Sequence, residues 1–179
     1  MKYYTVQESA ISHLLFNNTK AALFWLIVRL YVGYEWIMAG WDKVFSESWI
    51  GSNSGVAITG FLNNALKKTL GEHPDVQWWY ADFMQSVVLP YPVFWSHLVT
   101  WGEVAVGIAL IIGAFTGIAA FFGLFMNLNY LLAGTVSTNP ILLTLSIGLI
   151  LAWKIAGYIG LDRYILPKFG INMDIKESI

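Results

Sequence analysis

The apolar positions of this chain fall into four long blocks. They lie near residues 21–44, 93–114, 117–136 and 140–161. A transmembrane helix needs about 20 mostly apolar residues, and each block meets that length. The pattern predicts an all-α polytopic membrane protein built as a four-helix transmembrane bundle. The second and third blocks are joined by almost no loop, and Ser137-Thr138-Asn139 joins the third to the fourth, so tight antiparallel hairpins are expected. Pro140 suits a helix start, where its missing N–H is no loss.

Between the first two spans lies a polar insert, residues 45–91. Within it, VAITGFLNNALKKTL (56–70) and QWWYADFMQSVV (77–88) are amphipathic, and Gly71-Glu72-His73-Pro74 separates them. Short amphipathic helices beside spans lie along the interface or cap a bundle. Lys2, Lys20, Arg163, Lys168 and Lys176 fall on the side of the termini; Lys43, Lys67 and Lys68 fall on the side of the insert. This bias predicts both termini in the cytoplasm and the insert outside.

Composition sharpens the picture. The chain is 57% hydrophobic and 12% charged, against about 25% charged in soluble domains. Nine Trp and nine Tyr suit two membrane–water interfaces. No basic cluster points to nucleic acid. With no cysteine, disulfides, thiolate metal sites and thiol relays are excluded. His13, His73 and His97 are too scattered to predict a metal or haem site. The first residues show no cleavable leader pattern, so that segment is expected to be retained.

The first block carries Arg29 and Glu35 inside it. A charge in hydrocarbon costs about 2.5–3.5 kcal/mol on insertion scales, so such residues face a protein interior or a wet cavity. Arg29, Gly33, Trp36, Gly40 and Lys43 share one helical face, which reads either as a packing stripe or as the wall of a site. Glu35 lies about 120° away from Arg29. It is either a neutral acid bonded to a neighbouring helix or part of a site. Glu103, on the second span, is expected at a depth similar to that of Glu35, where two carboxyls need a shared proton, a cation or an Arg. His97 and Trp101 occupy a neighbouring face. Asn127 and Tyr130 share a face of the third span; Asn129 points away and reads as interhelical glue. Acids, bases, amides and rings around one bundle suit a small polar or amphipathic molecule in an apolar cavity. No nucleophile–base motif, phosphate loop or metal-ligand spacing is present.

LYVGYEWIMAGWDKV, WGEVAVGIALIIGAFTGIAA, GTVSTNP and IGLDRYILP together resemble the DoxX/DoxD family of bacterial membrane proteins. Arg29, Lys43 and Glu103 match the family pattern; a role for Glu35 or Asn127 does not come from it. The resemblance implies a four-helix protein of the bacterial cytoplasmic membrane, related to the membrane subunit of thiosulfate:quinone oxidoreductase. The resulting expectation is a membrane subunit of a quinone-linked oxidoreductase acting on thiosulfate or a related small reductant. Glu103 and Glu35 would handle protons. Arg29, Trp36, Lys43, His97, Trp101, Asn127 and Tyr130 would bind substrate or quinone. Expected partners are the bilayer, a second subunit or soluble redox enzyme, and further copies of the chain. The alternatives are a non-enzymatic scaffold of a redox or oxidative-stress complex and, more weakly supported, a solute-binding or transport protein.

Overall fold

The computed structural model describes residues 8–171 of the 179. Among these, all regular structure is helical. The helices are α1 (Ala10–Asn17), α2 (Ala22–Val44), α3 (Val56–Lys67), α4 (Trp78–Phe83), α5 (Pro92–Ile112), α6 (Thr116–Leu132), α7 (Asn139–Leu151), α8 (Trp153–Ala156) and α9 (Asp162–Ile165). Two helical segments are long and apolar enough to cross a membrane: Thr19–Val44, in which a 3₁₀ turn runs into α2, and α5. The helices α6 and α7 are apolar but shorter. The helix α1 was not foreseen; the Ser9 hydroxyl caps it by accepting from the Ser12 N–H at 3.1 Å.

The four apolar helices pack in sequence order, α2 on α5, α5 on α6 and α6 on α7, and α7 returns to α2. Glycines set the closest of these contacts. A Cβ on Gly107 would fall 2.7 Å from the backbone nitrogen of Ile37, and one on Gly40 would fall 2.9 Å from that of Val104. Only glycine lets α2 and α5 approach so closely, as the stripe on the first block implied.

Two boundaries differ from the apolar blocks. The third block was expected to run to 136, yet α6 stops at Leu132. Gly134 takes φ +70° there, its N–H bonds to Leu131 O, and the Thr135 N–H bonds to Tyr130 O. This is a Schellman termination, which glycine favours. The fourth block, 140–161, is not one helix. The α7 helix ends at Leu151, and beyond Ala152 the chain bends through α8, bringing the carbonyls of Ala156 and Ile159 to Arg29.

The two ends of the bundle are tied differently. At the end holding the α5–α6 turn, Asp162 accepts from the backbone N–H groups of Phe115 (2.5 Å) and Thr116 (2.8 Å), fixing the start of α6. At the other end the insert lies over the bundle. Lys68 donates to Gly134 O at 2.5 Å, and the Tyr80 hydroxyl donates to Asn129, whose backbone and side-chain oxygens both lie at 3.0 Å. After α4 the chain makes a π turn over Met84–Val88, and Met84 and Val88 pack into the core beneath the insert. Such a turn shifts the helical register and is frequent at functional sites.

Candidate functional site

Glu103 is the polar centre of the bundle. It is 1% exposed. One oxygen accepts from Lys43 Nζ at 2.7 Å, and the other accepts from the Tyr130 hydroxyl at 2.5 Å. Each partner comes from a different helix: Lys43 from the last turn of α2, Glu103 from the middle of α5, Tyr130 from the last turn of α6. Lys43 also donates to Ala39 O at 3.1 Å, and its ammonium sits 5.1 Å from the centre of the Trp49 ring. Charge-assisted hydrogen bonds of this length are about twice as strong as neutral ones. Lys43–Glu103 is the one ion pair among the described residues.

The triad sits beside a large cleft. The cleft has a volume of about 1060 Å³ and an almost wholly apolar lining. Toward the insert it is lined by Phe61, Tyr80 and Met84 of the insert and by Trp36, Glu103 and Tyr130. Away from the insert it follows α5 and α6, past Ala109, Ile112, Phe115, Ile118, Phe122 and Met126. One end therefore offers a charge, an ammonium and a phenol, and the rest offers hydrocarbon. That is the form of a site for an amphipathic molecule with a polar head and a long apolar body.

The residues expected to form a site divide into three groups. Lys43, Glu103, Tyr130 and Trp36 come together. Trp36 is buried, with its ring centroid 6.4 Å from that of Tyr130. Glu35 reaches the same cleft but is only half-buried, and it makes no hydrogen bond to Glu103 among the described residues. The expected carboxyl pair is thus replaced by a Lys–Glu–Tyr set, because the Lys43 stem folds back to the level of Glu103. Asn127 is buried beside the site on the Tyr130 face of α6, but it is not in the cleft wall.

Arg29, His97 and Trp101 lie elsewhere. Arg29 belongs to the opposite end. Its Nη1 donates to Ala156 O at 3.2 Å and its Nη2 to Ile159 O at 2.7 Å, and it packs against Gly113 and Gly160. Gly40 abuts Val104, next to Glu103, and Arg29 precedes Gly40 by about 16 Å of helical rise. His97 and Trp101 line a separate shallow groove on the outer surface of α5, with Trp101 51% exposed. They sit about 120° and 160° around the helix from Glu103, and neither is in the wall of its cleft.

Trp49 and Tyr80 were not foreseen as site residues. Tyr80 lies in the amphipathic stretch 77–88, so its helix was legible and its inward aim was not. Burial pushes its hydroxyl up to about 12, which keeps it a donor to Asn129. Asn129 acts as the interhelical glue that its outward face suggested, bonding Tyr80 and also Phe125 O.

In comparisons with known proteins, a family model described as DoxX matches residues 24–135. That stretch takes in α2, the insert, α5 and α6, and so every member of the triad. No curated protein and no solved structure matches the chain.

Proposed function

The chain belongs to the DoxX family of membrane-associated proteins, and from that premise we propose that it is the quinone-binding membrane subunit of an oxidoreductase. In this reading α2, α5, α6 and the α7–α8 unit cross a bacterial cytoplasmic membrane, with the insert outside and both termini in the cytoplasm. The observation that carries the reading is the Lys43–Glu103–Tyr130 set at the polar end of an elongated apolar cleft.

The donor set fits a quinone. Its carbonyls are acceptors on an apolar ring, and Tyr130 and Lys43 are donors beside the cleft. Its isoprenoid tail matches the hydrocarbon lining along α5 and α6. A bound quinone supplies a two-electron, two-proton acceptor. The reductant is thiosulfate or a related small molecule, oxidised with a partner subunit. With a quinone bound, the Tyr130 hydroxyl, which donates to Glu103, would turn to a carbonyl oxygen and give it its proton. Lys43, on the other Glu103 oxygen, would replace that proton through Glu103. Trp36 and the insert wall the head from water. Arg29 takes no part; it holds the inner end of the bundle together.

The closure of the triad favours one rival. Both Glu103 oxygens are satisfied within the protein, as a purely structural cross-link requires, and this supports a scaffold that recruits an oxidoreductase. The two readings separate on the bound molecule. Mass spectrometry of lipids extracted from gently purified protein is expected to find about one quinone per chain; extraction of phospholipid alone supports the scaffold. Glu103→Gln keeps shape and hydrogen-bonding reach but removes the acid. With the native partner present, it is expected to fold and to lose quinone reduction by about 10²–10⁴-fold, the usual weight of a general acid–base group. Full activity would reduce Glu103 to glue.

A further inference from the structure

Behind the triad lies a second set of polar side chains, of which only Trp36 also lines the cleft. Asn127 is 0% exposed, and among the described residues neither its amide nitrogen nor its amide oxygen has a hydrogen-bond partner. The Ser146 hydroxyl, on α7, is equally buried and unpartnered. So is the indole N–H of Trp36, on a side chain 2% exposed. Buried polar groups almost always find partners, and an unmet one costs about 1–3 kcal/mol. Arg29 Nε and Thr116 Oγ1 are also unpartnered but lie at the end of the bundle near the α5–α6 turn; the other three residues call for a common explanation.

Their positions supply it. Gly123, Asn127 and Tyr130 lie at i, i+4 and i+7, one face of α6. The Trp36 indole nitrogen lies against Gly123; a Cβ there would fall 2.9 Å from it. Asn127 therefore sits one turn from the Trp36 N–H and one turn from Tyr130. Leu142, one turn before Ser146 on the same face of α7, lines the cleft with Tyr130. Because α6 and α7 are packed antiparallel neighbours, Ser146 falls about level with Asn127. The three groups offer an indole donor, an amide donor and acceptor, and a hydroxyl that is both. A small neutral molecule that donates and accepts satisfies all of them, and water is the smallest such molecule.

We propose that Trp36, Asn127 and Ser146 form a binding niche for internal water on the inner side of Tyr130, and that this water passes protons to the Tyr130–Glu103 pair from within the bundle. The relay role rests on the quinone reading; the niche does not. It gives Asn127 the function that its buried amide lacks in the packing, and it supplies protons without opening the cleft.

Hydroxyl-radical labelling in ¹⁸O-water reads internal water at buried side chains. In the unmodified protein Trp36 is expected to label several-fold faster than Trp25, which is comparably buried but bonded to Leu15 O. Equal, slow labelling of the two overturns the niche, and this comparison needs no variant. Asn127→Leu, and more gently Ser146→Ala, are expected to bring Trp36 down to the Trp25 rate. Persistence of fast labelling in both variants also overturns the niche, since the water then enters from the cleft. In the quinone assay Ser146→Ala is expected to lower kcat about tenfold with KM for quinone unchanged. Unchanged kcat with labelling lost overturns the relay and leaves quinone binding standing.

Discussion

Glu103 shows how much one residue's setting depends on its partners. It sits in a nearly waterless position, and its two oxygens are met by Lys43 and Tyr130. Removing one member of a buried pair costs about 3–5 kcal/mol, because the other is left uncompensated. Lys43→Met is therefore expected to lower the melting temperature in detergent clearly. Adding Glu103→Gln to it is expected to recover most of the loss, since the double variant buries no unpaired charge. A melting temperature unchanged in Lys43→Met would mean that water or lipid headgroups satisfy Glu103. The sequence named Lys43, Glu103 and Tyr130 but set Glu103 beside Glu35, with a shared proton, a cation or an Arg to balance the two. Helical spacing gives a residue's face and its distance from a helix end. It does not give the offset between helices, which here comes from Gly40 and Gly107 seating α2 against α5. Nor does it show a four-carbon Lys stem reaching back toward the bundle centre.

At the scale of elements, the insert is the part whose form the sequence left most open. Its two amphipathic segments were legible as periodic apolar positions, and they appear as α3 and as α4 with its π turn. Their docking was not legible, because it depends on two long-range ties, Lys68 to Gly134 and Tyr80 to Asn129. The Tyr80 tie makes the roof sensitive to alkali. Its hydroxyl is held at about 12 by burial, above the usual tyrosine value of about 10. A group whose folded value is raised adds stability that is complete below the unfolded value and lost as pH climbs through the folded one. Protease resistance of the insert is therefore expected to hold up to about pH 10 and to fall between about pH 10 and 12. In Tyr80→Phe that decline is expected to disappear, with lower resistance throughout. An identical alkaline decline in Tyr80→Phe would assign the transition to another group. The ends of α6 and α7 teach a related lesson. The apolar run carried through Gly134 and Ala152, whereas the backbone stops where a Schellman turn and the Arg29 carbonyl contacts take over.

At the scale of the whole molecule, an apolar bundle, a polar triad and a cleft form one amphipathic site. All-helical architecture and family were legible from the blocks and motifs. Which charges share a site was not, since Arg29 lies at one end of the bundle, about 16 Å of helical rise from the level of Glu103. Orientation is expected to follow the Lys and Arg bias. Single cysteines placed at Ser52 and Asn139 should react with an impermeant maleimide in intact cells, and one at Lys168 should react only after permeabilisation. Labelling at Lys168 alone would reverse the topology and put the insert in the cytoplasm. The central claim is that a quinone places its head at Lys43–Glu103–Tyr130 and its tail along α5 and α6. The most direct measurement is photo-crosslinking in native membranes with a quinone carrying a photoreactive group on its tail, followed by peptide mapping. The account predicts saturable labelling of the α5 and α6 segments around Ile112, Ile118 and Phe122, competed by unlabelled quinone and weakened in Tyr130→Phe. Labelling that does not saturate, or that spreads over the exposed face of α7, would contradict it.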